Sequence, residues 1–178
     1  WQIAHYETGT PGPRLRINSP DDTVTVTMQV PGHHNARNAL AAIVVAAQIE
    51  IEPSVAASAL ETYRGAERRL QLRTHTPTIS VYEDYAHHPT AIRASLQAVR
   101  ELNPSRVIVV YQPLLQSRTR DLFHEFLNAF DAADHVFLAE ISSPPGREAP
   151  LGIQSADLAD AIAHPSVQAL NSFETIVD

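Results

Sequence analysis

Cysteine and lysine are both absent from this chain of 178 residues, and all 13 basic side chains are arginines. Without cysteine there is no disulfide, no thiolate nucleophile and no cysteine-bound zinc. Without lysine there is no Schiff-base amine and no lysine of a phosphate-binding P-loop. A chain without disulfides suits a reducing compartment, so we expect a cytoplasmic protein.

Basic surface and long apolar runs are also scarce. The 20 acidic residues outnumber the 13 basic ones and give a formal net charge of −7. This balance argues against binding to nucleic acid or to anionic membranes, because both need basic faces. The most apolar stretch, residues 39–47, is far shorter than the roughly 18 residues of a membrane span. With 44% apolar residues the chain is expected to be globular, and its start at Trp1 indicates a piece of a longer protein.

The first part of the chain predicts a β-hairpin followed by two helices. Apolar and polar residues alternate over residues 15–17 and again over residues 24–30, on either side of the turn-rich residues 18–22. The Ala-rich residues 35–49 predict a buried helix. A second helix is expected over residues 53–65, with proline at its first position and glycine at its end.

From about residue 73 onward, predicted strands and helices alternate. The strands are residues 78–82, 106–111 and 135–139, and the helices are residues 90–102, 120–130 and 155–163. The strand over residues 106–111 is apolar enough to be buried on both faces, and Ser155 is expected to cap the last helix. This order is typical of an α/β fold with an open, mostly parallel, Rossmann-like sheet. We expect the boundary near residues 70–76, which gives domains over residues 1–72 and 73–178.

Polar side chains gather in three loops that follow the predicted strands, at residues 83–89, 112–119 and 140–154. Ligands of open α/β sheets bind outside the carboxyl ends of the strands, and the predicted topology brings all three loops to one sheet edge. A purely structural role is also open for each, such as a helix cap or an exposed loop position. Their convergence favours a functional site. The candidate side chains are Asp84, Tyr85, His87, His88, Arg118 and Glu148.

Two earlier segments carry polar side chains at informative spacings. Asn35 and Asn38 lie three positions apart on a predicted helix, so their amides share one face. An amide offers a donor and an acceptor together, as a purine edge requires, although a cap and a buried amide explain the same pattern. Arg68 and Arg69 follow a helix end, where they either complement the helix dipole or bind polyphosphate oxygens.

Four strings in this order resemble the Mur ligase family, the ATP-dependent enzymes that form amide bonds in peptidoglycan precursor synthesis. The first two are Pro-Gly-His-His-Asn-Ala-Arg-Asn-Ala-Leu-Ala-Ala at residues 31–42 and Gly-Ala-Glu-Arg-Arg at residues 65–69. The third is Asp-Tyr-Ala-His-His-Pro at residues 84–89, and the fourth joins Gln-Pro at residues 112–113 to Ser-Arg-Thr-Arg-Asp-Leu-Phe at residues 117–123. The last two resemble members that attach the first amino acid to UDP-N-acetylmuramate.

The resemblance implies a role for each residue at a motif position. For the nucleotide, His34, Asn35 and Asn38 would bind the adenine end of ATP, Arg68 and Arg69 would lie near its ribose and phosphates, and Asp84 would bind the ribose. For the ligation, Tyr85, His87 and His88 would face the reacting groups, Arg118 would hold the carboxylate of the incoming amino acid, and Glu148 would lie in the loop that closes over it. The expected catalytic residues are Arg68, Arg69 and His87.

The resemblance also implies a reaction and its participants. Members of the family activate the muramoyl carboxylate as an acyl phosphate, which the amino group attacks with release of phosphate, and nearby cations assist such chemistry. The implied cofactors are ATP and magnesium, whose ligands would lie mainly in a preceding part of the enzyme, and no metal site is expected in this chain. The implied partners are UDP-N-acetylmuramate and L-alanine, with the oligomeric state left open.

The sequence departs from the family pattern in two ways. Leu114, Leu115 and Gln116 stand where the family usually has His, a variable residue and Tyr. The sugar-nucleotide domain and the P-loop of the family precede the matched region, so the chain corresponds to the end of an ATP-binding central domain plus most of a C-terminal domain, inactive alone. Three alternatives stay open: a ligase that attaches a recycled peptide to UDP-N-acetylmuramate, a non-catalytic nucleotide-binding module, and a metal hydrolase that uses His33, His34, His87 and His88.

Overall fold

The computed structural model describes residues 1–170, which divide into two compact units. The first unit consists of residues 1–85 together with residues 97–103, and the second of residues 86–96 together with residues 104–170. Over the described residues, no helix has the length and apolarity that a membrane crossing requires. The domains expected over residues 1–72 and 73–178 stay a prediction.

The first unit is built on a three-stranded antiparallel sheet. Its strands β1 (Gln2–Glu7), β2 (Arg14–Asn18) and β3 (Thr23–Thr27) lie side by side in chain order. The predicted hairpin is confirmed, because β2 and β3 pair with Leu15 opposite Val26. Strand β1 follows no clear alternation of apolar residues, and the sequence did not indicate it.

Two helices follow the sheet, α1 (His33–Gln48) and α2 (Pro53–Leu60). The buried residues of α1 are Ala36, Ala39 and Ile43, whose spacing of three and four places them on one helix face. They form one apolar core with inward-facing strand residues such as Leu15 and Val26, both fully buried. Burying each large aliphatic side chain stabilises the unit by about 1.5–3 kcal/mol, and this core holds α1 against the sheet.

The strand predicted over residues 78–82 lies in a different sheet from the one expected. The structure pairs β4 (Gln71–His75) with β5 (Ser80–Glu83) as an antiparallel hairpin, closed by the Thr76 N–H that donates to the Ile79 carbonyl at 2.8 Å. The prediction of a parallel strand is wrong here because the sequence did not reveal β4, the antiparallel partner of β5. Strand β4 has a single apolar residue, Leu72, and therefore shows no alternation typical of a strand. A tight turn can join only antiparallel neighbours. Helix α3 (Pro89–Glu101) follows.

The second unit contains the predicted parallel sheet. Strands β6 (Ile108–Tyr111), β7 (His135–Ala139) and β8 (Val167–Leu170) lie side by side in chain order and all run parallel. The ring of Tyr111 lies 6.0 Å from that of Phe126 and 5.4 Å from that of Phe130, so the end of β6 is anchored in an aromatic core. The loops 112–119 and 140–154 leave the carboxyl ends of β6 and β7, as expected, whereas the loop 83–89 leaves β5 of the other sheet.

Three details of this unit differ from the sequence predictions. The expected helix over residues 120–130 is instead two short helices, α4 (Gln116–Asp121) and α5 (Phe123–Phe126), separated by the non-helical Leu122. Helix α6 (Ser155–Ala161) is capped by Gln154 with Asp157 in a reciprocal capping box, not by Ser155. Strand β6 is not buried on both faces, because alternate residues along it are about half exposed; these are Ile108 and Val110.

Candidate functional site

In the first unit, the segment over residues 31–38 is held at its start by a carboxylate. Gly32 has φ 99° and ψ 142°, a backbone conformation essentially restricted to glycine, and α1 begins directly after it. The Glu101 carboxylate accepts the Gly32 N–H at 3.2 Å and also the hydroxyl of Tyr6. The Tyr6 ring in turn stacks on His33, with ring centroids 3.8 Å apart. Burial and the Glu101 carboxylate together raise the pKa of the Tyr6 hydroxyl.

His34, a residue of the first motif, lies near Asp84 of the third motif. Burial lowers the pKa of its imidazole, while the nearby carboxylates of Asp84 and Glu101 act in the opposite direction. Burial is the larger effect, so the ring is neutral at neutral pH. Its buried Nδ1 has no hydrogen-bond partner among the described residues. The structure therefore places His34 near Asp84, and the resemblance assigns both residues to ATP. One nitrogen of the His34 ring has no hydrogen-bond partner within residues 1–170.

The two asparagines of this segment differ in their surroundings. The Asn35 side-chain amide donates to the Pro31 carbonyl at 2.7 Å, within the first turn of α1. Asn35 is thus not the helix cap, since Gly32 occupies that position. Asn38 is exposed one turn later on the same helix.

The third motif is joined to the arginines of the second motif. The Tyr85 N–H donates to the Arg68 carbonyl at 2.7 Å, and the Arg68 guanidinium lies 4.9 Å from the centre of the Tyr85 ring. The Arg68 Nε also donates to the Glu83 carboxylate at 2.9 Å. The Asp84 carboxylate accepts the Leu70 N–H at 3.1 Å, which fixes the chain direction after the arginines. Arg69 is exposed.

In the second unit, His87 and Arg118 lie at the carboxyl end of β6. The hydroxyl of Tyr111, the last residue of that strand, lies 3.5 Å from the His87 carbonyl and donates to it. Burial raises the pKa of Tyr111, and the positive charge of Arg118 acts against this rise. The buried Nη1 of Arg118 has no hydrogen-bond partner within residues 1–170. The next histidine, His88, accepts the Thr90 N–H at 3.3 Å, a contact typical of a helix start.

Glu148 is bound at both of its carboxylate oxygens. Its two oxygens accept four hydrogen bonds, from the N–H groups of Gln116 and Ser117 at 2.5 and 3.1 Å, and from the hydroxyls of Ser117 and Ser143 at 2.7 and 2.6 Å. The Ser117 and Ser143 hydroxyls contribute most to lowering the pKa of Glu148 to about 2. The carboxylate is therefore ionised throughout the physiological range.

A shallow cavity of about 210 Å³ opens at the carboxyl ends of β7 and β8. Its lining combines carboxylate, amide and hydroxyl groups with apolar side chains, including Glu140, Gln154, Ser155 and Ile153. In the described part of the chain, no three His, Asp or Glu side chains are grouped so that they could hold a metal ion.

Comparison with known proteins identifies the family. A family model described as "Mur ligase, glutamate ligase domain" matches residues 68–178, more than half of the chain. The chain belongs to the Mur ligase family. The predicted family and α/β fold class are thereby confirmed.

Several curated Mur ligases are similar to the chain in sequence. The UDP-N-acetylmuramate–L-alanine ligase of Paenarthrobacter aurescens is 44% identical over 139 residues, which cover 77% of this chain and 30% of that protein. The ligase of the same name from Solibacter usitatus is 38% identical over 168 residues, covering 93% of this chain and 35% of that protein. The chain thus spans about a third of the length of the curated relatives it matches.

Two crystal structures of Mur ligases are similar in fold. The UDP-N-acetylmuramate–alanine ligase of Thermotoga maritima matches with a TM-score of 0.79 at 24% identity, over 98% of this chain and 38% of that chain. The murein peptide ligase of Psychrobacter arcticus matches with a TM-score of 0.60 at 29% identity, over 97% of this chain and 37% of that chain.

Four residues of this Mur ligase site escaped the sequence reasoning. Tyr6, Glu101 and Ser143 carry no motif, Ser117 was read only as part of one and not as a partner of Glu148, and the first pair is separated by 95 positions in the chain. A glutamate at a helix end and a serine in a loop have the pattern of ordinary exposed residues. Only the fold reveals that each holds a motif segment in place.

Proposed function

We propose that this chain belongs to the C-terminal part of an ATP-dependent ligase that joins the carboxylate of UDP-N-acetylmuramate to the amino group of L-alanine. One observation carries the proposal: a match of 38% identity over 93% of the chain to a UDP-N-acetylmuramate–L-alanine ligase. Because the match covers 93% of the chain, it includes the whole segment from His34 to Glu148. Because the chain has neither cysteine nor a segment suited to a membrane, we also propose a cytoplasmic location.

The first unit offers groups suited to a nucleotide. The neutral His34 ring has an unpartnered nitrogen for the adenine edge, and Asn35 and Asn38 share its helix. The Asp84 carboxylate, which is fixed by the bond from the Leu70 N–H, is the group that we assign to the ribose hydroxyls.

Arg68 and Arg69 are the cations of this unit suited to the phosphates. The Arg68–Glu83 pair is largely exposed, with side-chain exposures of 59% and 38%, so it contributes no more than about 1 kcal/mol. A phosphate group therefore replaces Glu83 on the Arg68 guanidinium at little cost. When bound, ATP with magnesium supplies the phosphoryl group that activates the carboxylate, and we place the magnesium ligands in the rest of the enzyme.

The second unit offers groups suited to the ligation. We propose that the Arg118 guanidinium receives the carboxylate of the amino acid through its free Nη1 donor. The amino nitrogen then attacks the activated carboxyl carbon, so that a C–N bond forms, a C–O bond to phosphate breaks, and phosphate leaves with the bonding electrons. We propose His87 as the group that takes the proton from the amine, with Tyr85 and His88 beside the reacting groups.

The test uses the full-length protein that carries this chain. Phosphate release is measured with ATP, UDP-N-acetylmuramate and L-alanine, and we expect release only when all three are present. The substitution Arg118→Lys removes the planar fork of the guanidinium and should raise KM for L-alanine roughly tenfold or more, with KM for ATP unchanged. Arg120→Lys is the matched control, because Arg120 lies on the same helix but is exposed and paired with Asp121. No phosphate release with any amino acid or peptide would overturn the proposal.

A second candidate is a ligase that attaches a recycled peptide instead of L-alanine. The fold likeness to a murein peptide ligase and the side chains Leu114, Leu115 and Gln116 favour it. The same assay decides, since phosphate release with a peptide and not with L-alanine selects this candidate. ATP binding without phosphate release under any condition selects a non-catalytic nucleotide-binding module.

A further inference from the structure

The loop after β7 is fastened to the loop after β6 at several points. The Ser142 N–H donates to the Pro113 carbonyl at 2.8 Å, and the Leu115 N–H donates back to the Ser142 carbonyl at 2.9 Å. Further along, the Leu151 N–H donates to the side-chain oxygen of Gln116 at 2.6 Å. Glu148 lies between these contacts in the chain, and its carboxylate makes the charged hydrogen bonds between the two loops.

The Glu148 carboxylate has no acceptor capacity left for a substrate. An ionised carboxylate has about four lone-pair directions, and Glu148 already accepts four hydrogen bonds at 2.5–3.1 Å. A substrate ammonium would have to displace backbone N–H groups that have no other acceptor in the first turn of α4. Direct contact between Glu148 and the incoming amino acid is thus disfavoured.

The same four bonds fix the segment that carries Arg118. Gln116 and Ser117, which donate three of them, immediately precede Arg118 in the first turn of α4. The backbone before this turn is constrained as well, because Leu115 has a positive φ of 70° that a non-glycine residue rarely adopts. Holding the turn in place determines where the Arg118 guanidinium points.

We infer that Glu148 is a positioning residue, which fastens the 140–154 loop to the first turn of α4 and thereby orients Arg118 toward the carboxylate of the amino acid. The inference rests on the proposed function, in which Arg118 receives that carboxylate. Glu148 then affects the substrate only by orienting Arg118, and does not contact the substrate itself. The negative charge of Glu148 is bound by backbone N–H groups and serine hydroxyls. It therefore does not pair with the Arg118 guanidinium, which keeps its positive charge for an anionic ligand.

Hydrogen exchange in the full-length protein tests the fastening. Glu148→Gln keeps the shape of the side chain but turns one oxygen into an amide donor that faces other donors. We expect amide exchange in peptides spanning residues 113–119 and 140–152 to become about tenfold faster, the effect of losing one or two such hydrogen bonds. Glu125→Gln is the matched control, since Glu125 is exposed in the same unit and its exchange pattern should not change.

Enzyme kinetics on the same variants test the positioning. Glu148→Gln should raise KM for the amino acid about tenfold and leave KM for ATP within about twofold. In the Arg118→Lys background it should add little, because a residue that acts only through Arg118 shows strong coupling in a double-mutant cycle. Ser117→Ala and Ser143→Ala each remove one donor and should give smaller changes in the same direction, which keeps the test available if Glu148→Gln does not fold.

Each outcome separates the inference from the function on which it rests. Unchanged exchange with a raised KM for the amino acid would mean that Glu148 contacts the substrate, and would overturn the inference. Faster exchange with an unchanged KM, or additive effects of Glu148→Gln and Arg118→Lys, would overturn it as well. If Arg118→Lys itself leaves KM for the amino acid unchanged, the proposed role of Arg118 fails while the exchange data still report on the fastening.

Discussion

Replacing Gly32 by alanine should destabilise the first unit severely, because the new methyl group meets both a strained backbone and a filled space. At φ 99° and ψ 142° the residue lies where side chains are essentially excluded, which costs about 1–3 kcal/mol. The added Cβ would lie 2.6 Å from the Cβ of Ala98 and 2.9 Å from two atoms of the His34 ring. Ala98 is fully buried and has no space to move away, so the overlap costs about a further 1–3 kcal/mol.

A second glycine separates these two costs. Gly152 has a positive φ of 75°, but nothing lies within 4 Å of the Cβ that an alanine would add there. Gly152→Ala should therefore cost only the backbone strain, about 1–2 kcal/mol, reduced by the lower entropy of the unfolded chain. The expected total for Gly32→Ala is about 2–5 kcal/mol after the same correction.

Urea unfolding measures the effect of Gly32→Ala in the right unit. Trp1 is the only tryptophan of the chain and lies in the first unit, so its fluorescence reports on that unit. A loss of about 3 kcal/mol should also lower the melting temperature by well over 10 °C for a unit of this size. Gly152→Ala lies in the second unit and is followed instead by far-UV circular dichroism. If Gly32→Ala costs no more than Gly152→Ala, the close packing of residue 32 against Ala98 does not constrain the segment over residues 31–38, and the predicted clash is refuted.

Two further outcomes follow from the carboxylates. Tyr6→Phe removes the hydroxyl that donates to Glu101 and should cost the first unit about 1–2 kcal/mol in urea unfolding, whereas Tyr63→Phe, at an exposed tyrosine, should be neutral; equal effects would contradict the assigned bond. Because the pKa of Glu148 falls from its ordinary 4.5 to about 2 on folding, its stabilisation is complete above about pH 4.5 and is lost as the pH falls toward 2. Urea midpoints measured from pH 5 to pH 2 should therefore drop less in Glu148→Gln than in the unmodified protein, and parallel curves would disprove the linkage.

The sequence predicted best those elements whose burial follows a simple period. The β2–β3 hairpin has one buried face, so alternation revealed it, and the strand over residues 135–139 is apolar and short enough to mark a parallel strand. Strand β4 contains one apolar residue, and β8 is a four-residue strand interrupted by Gln168, so neither has a clear period and only tertiary pairing makes them strands. Missing β4 had the largest consequence, because it turned a hairpin into a supposed member of the parallel sheet.

The candidate site divides in the same way. His34, Asp84 and Arg118 were found because their motifs carry distinctive residue types in a fixed order. Their supporting contacts were not predicted, since Glu101 reaches Gly32 across 69 positions and Glu148, although named as a candidate residue, reaches Ser117 across 31. Contacts at such separations depend on the fold and leave no local pattern in the sequence.

The two units use one electrostatic arrangement twice. Glu101 accepts the N–H of Gly32 just before α1, and Glu148 accepts N–H groups in the first turn of α4. Each carboxylate thus satisfies backbone donors at a helix start that have no partner within the helix. Each of these helices then carries a side chain with an unpartnered buried nitrogen, His34 in α1 and Arg118 in α4. The fixed negative charges therefore bind backbone donors and leave both of these buried nitrogens without a hydrogen-bond partner among the described residues.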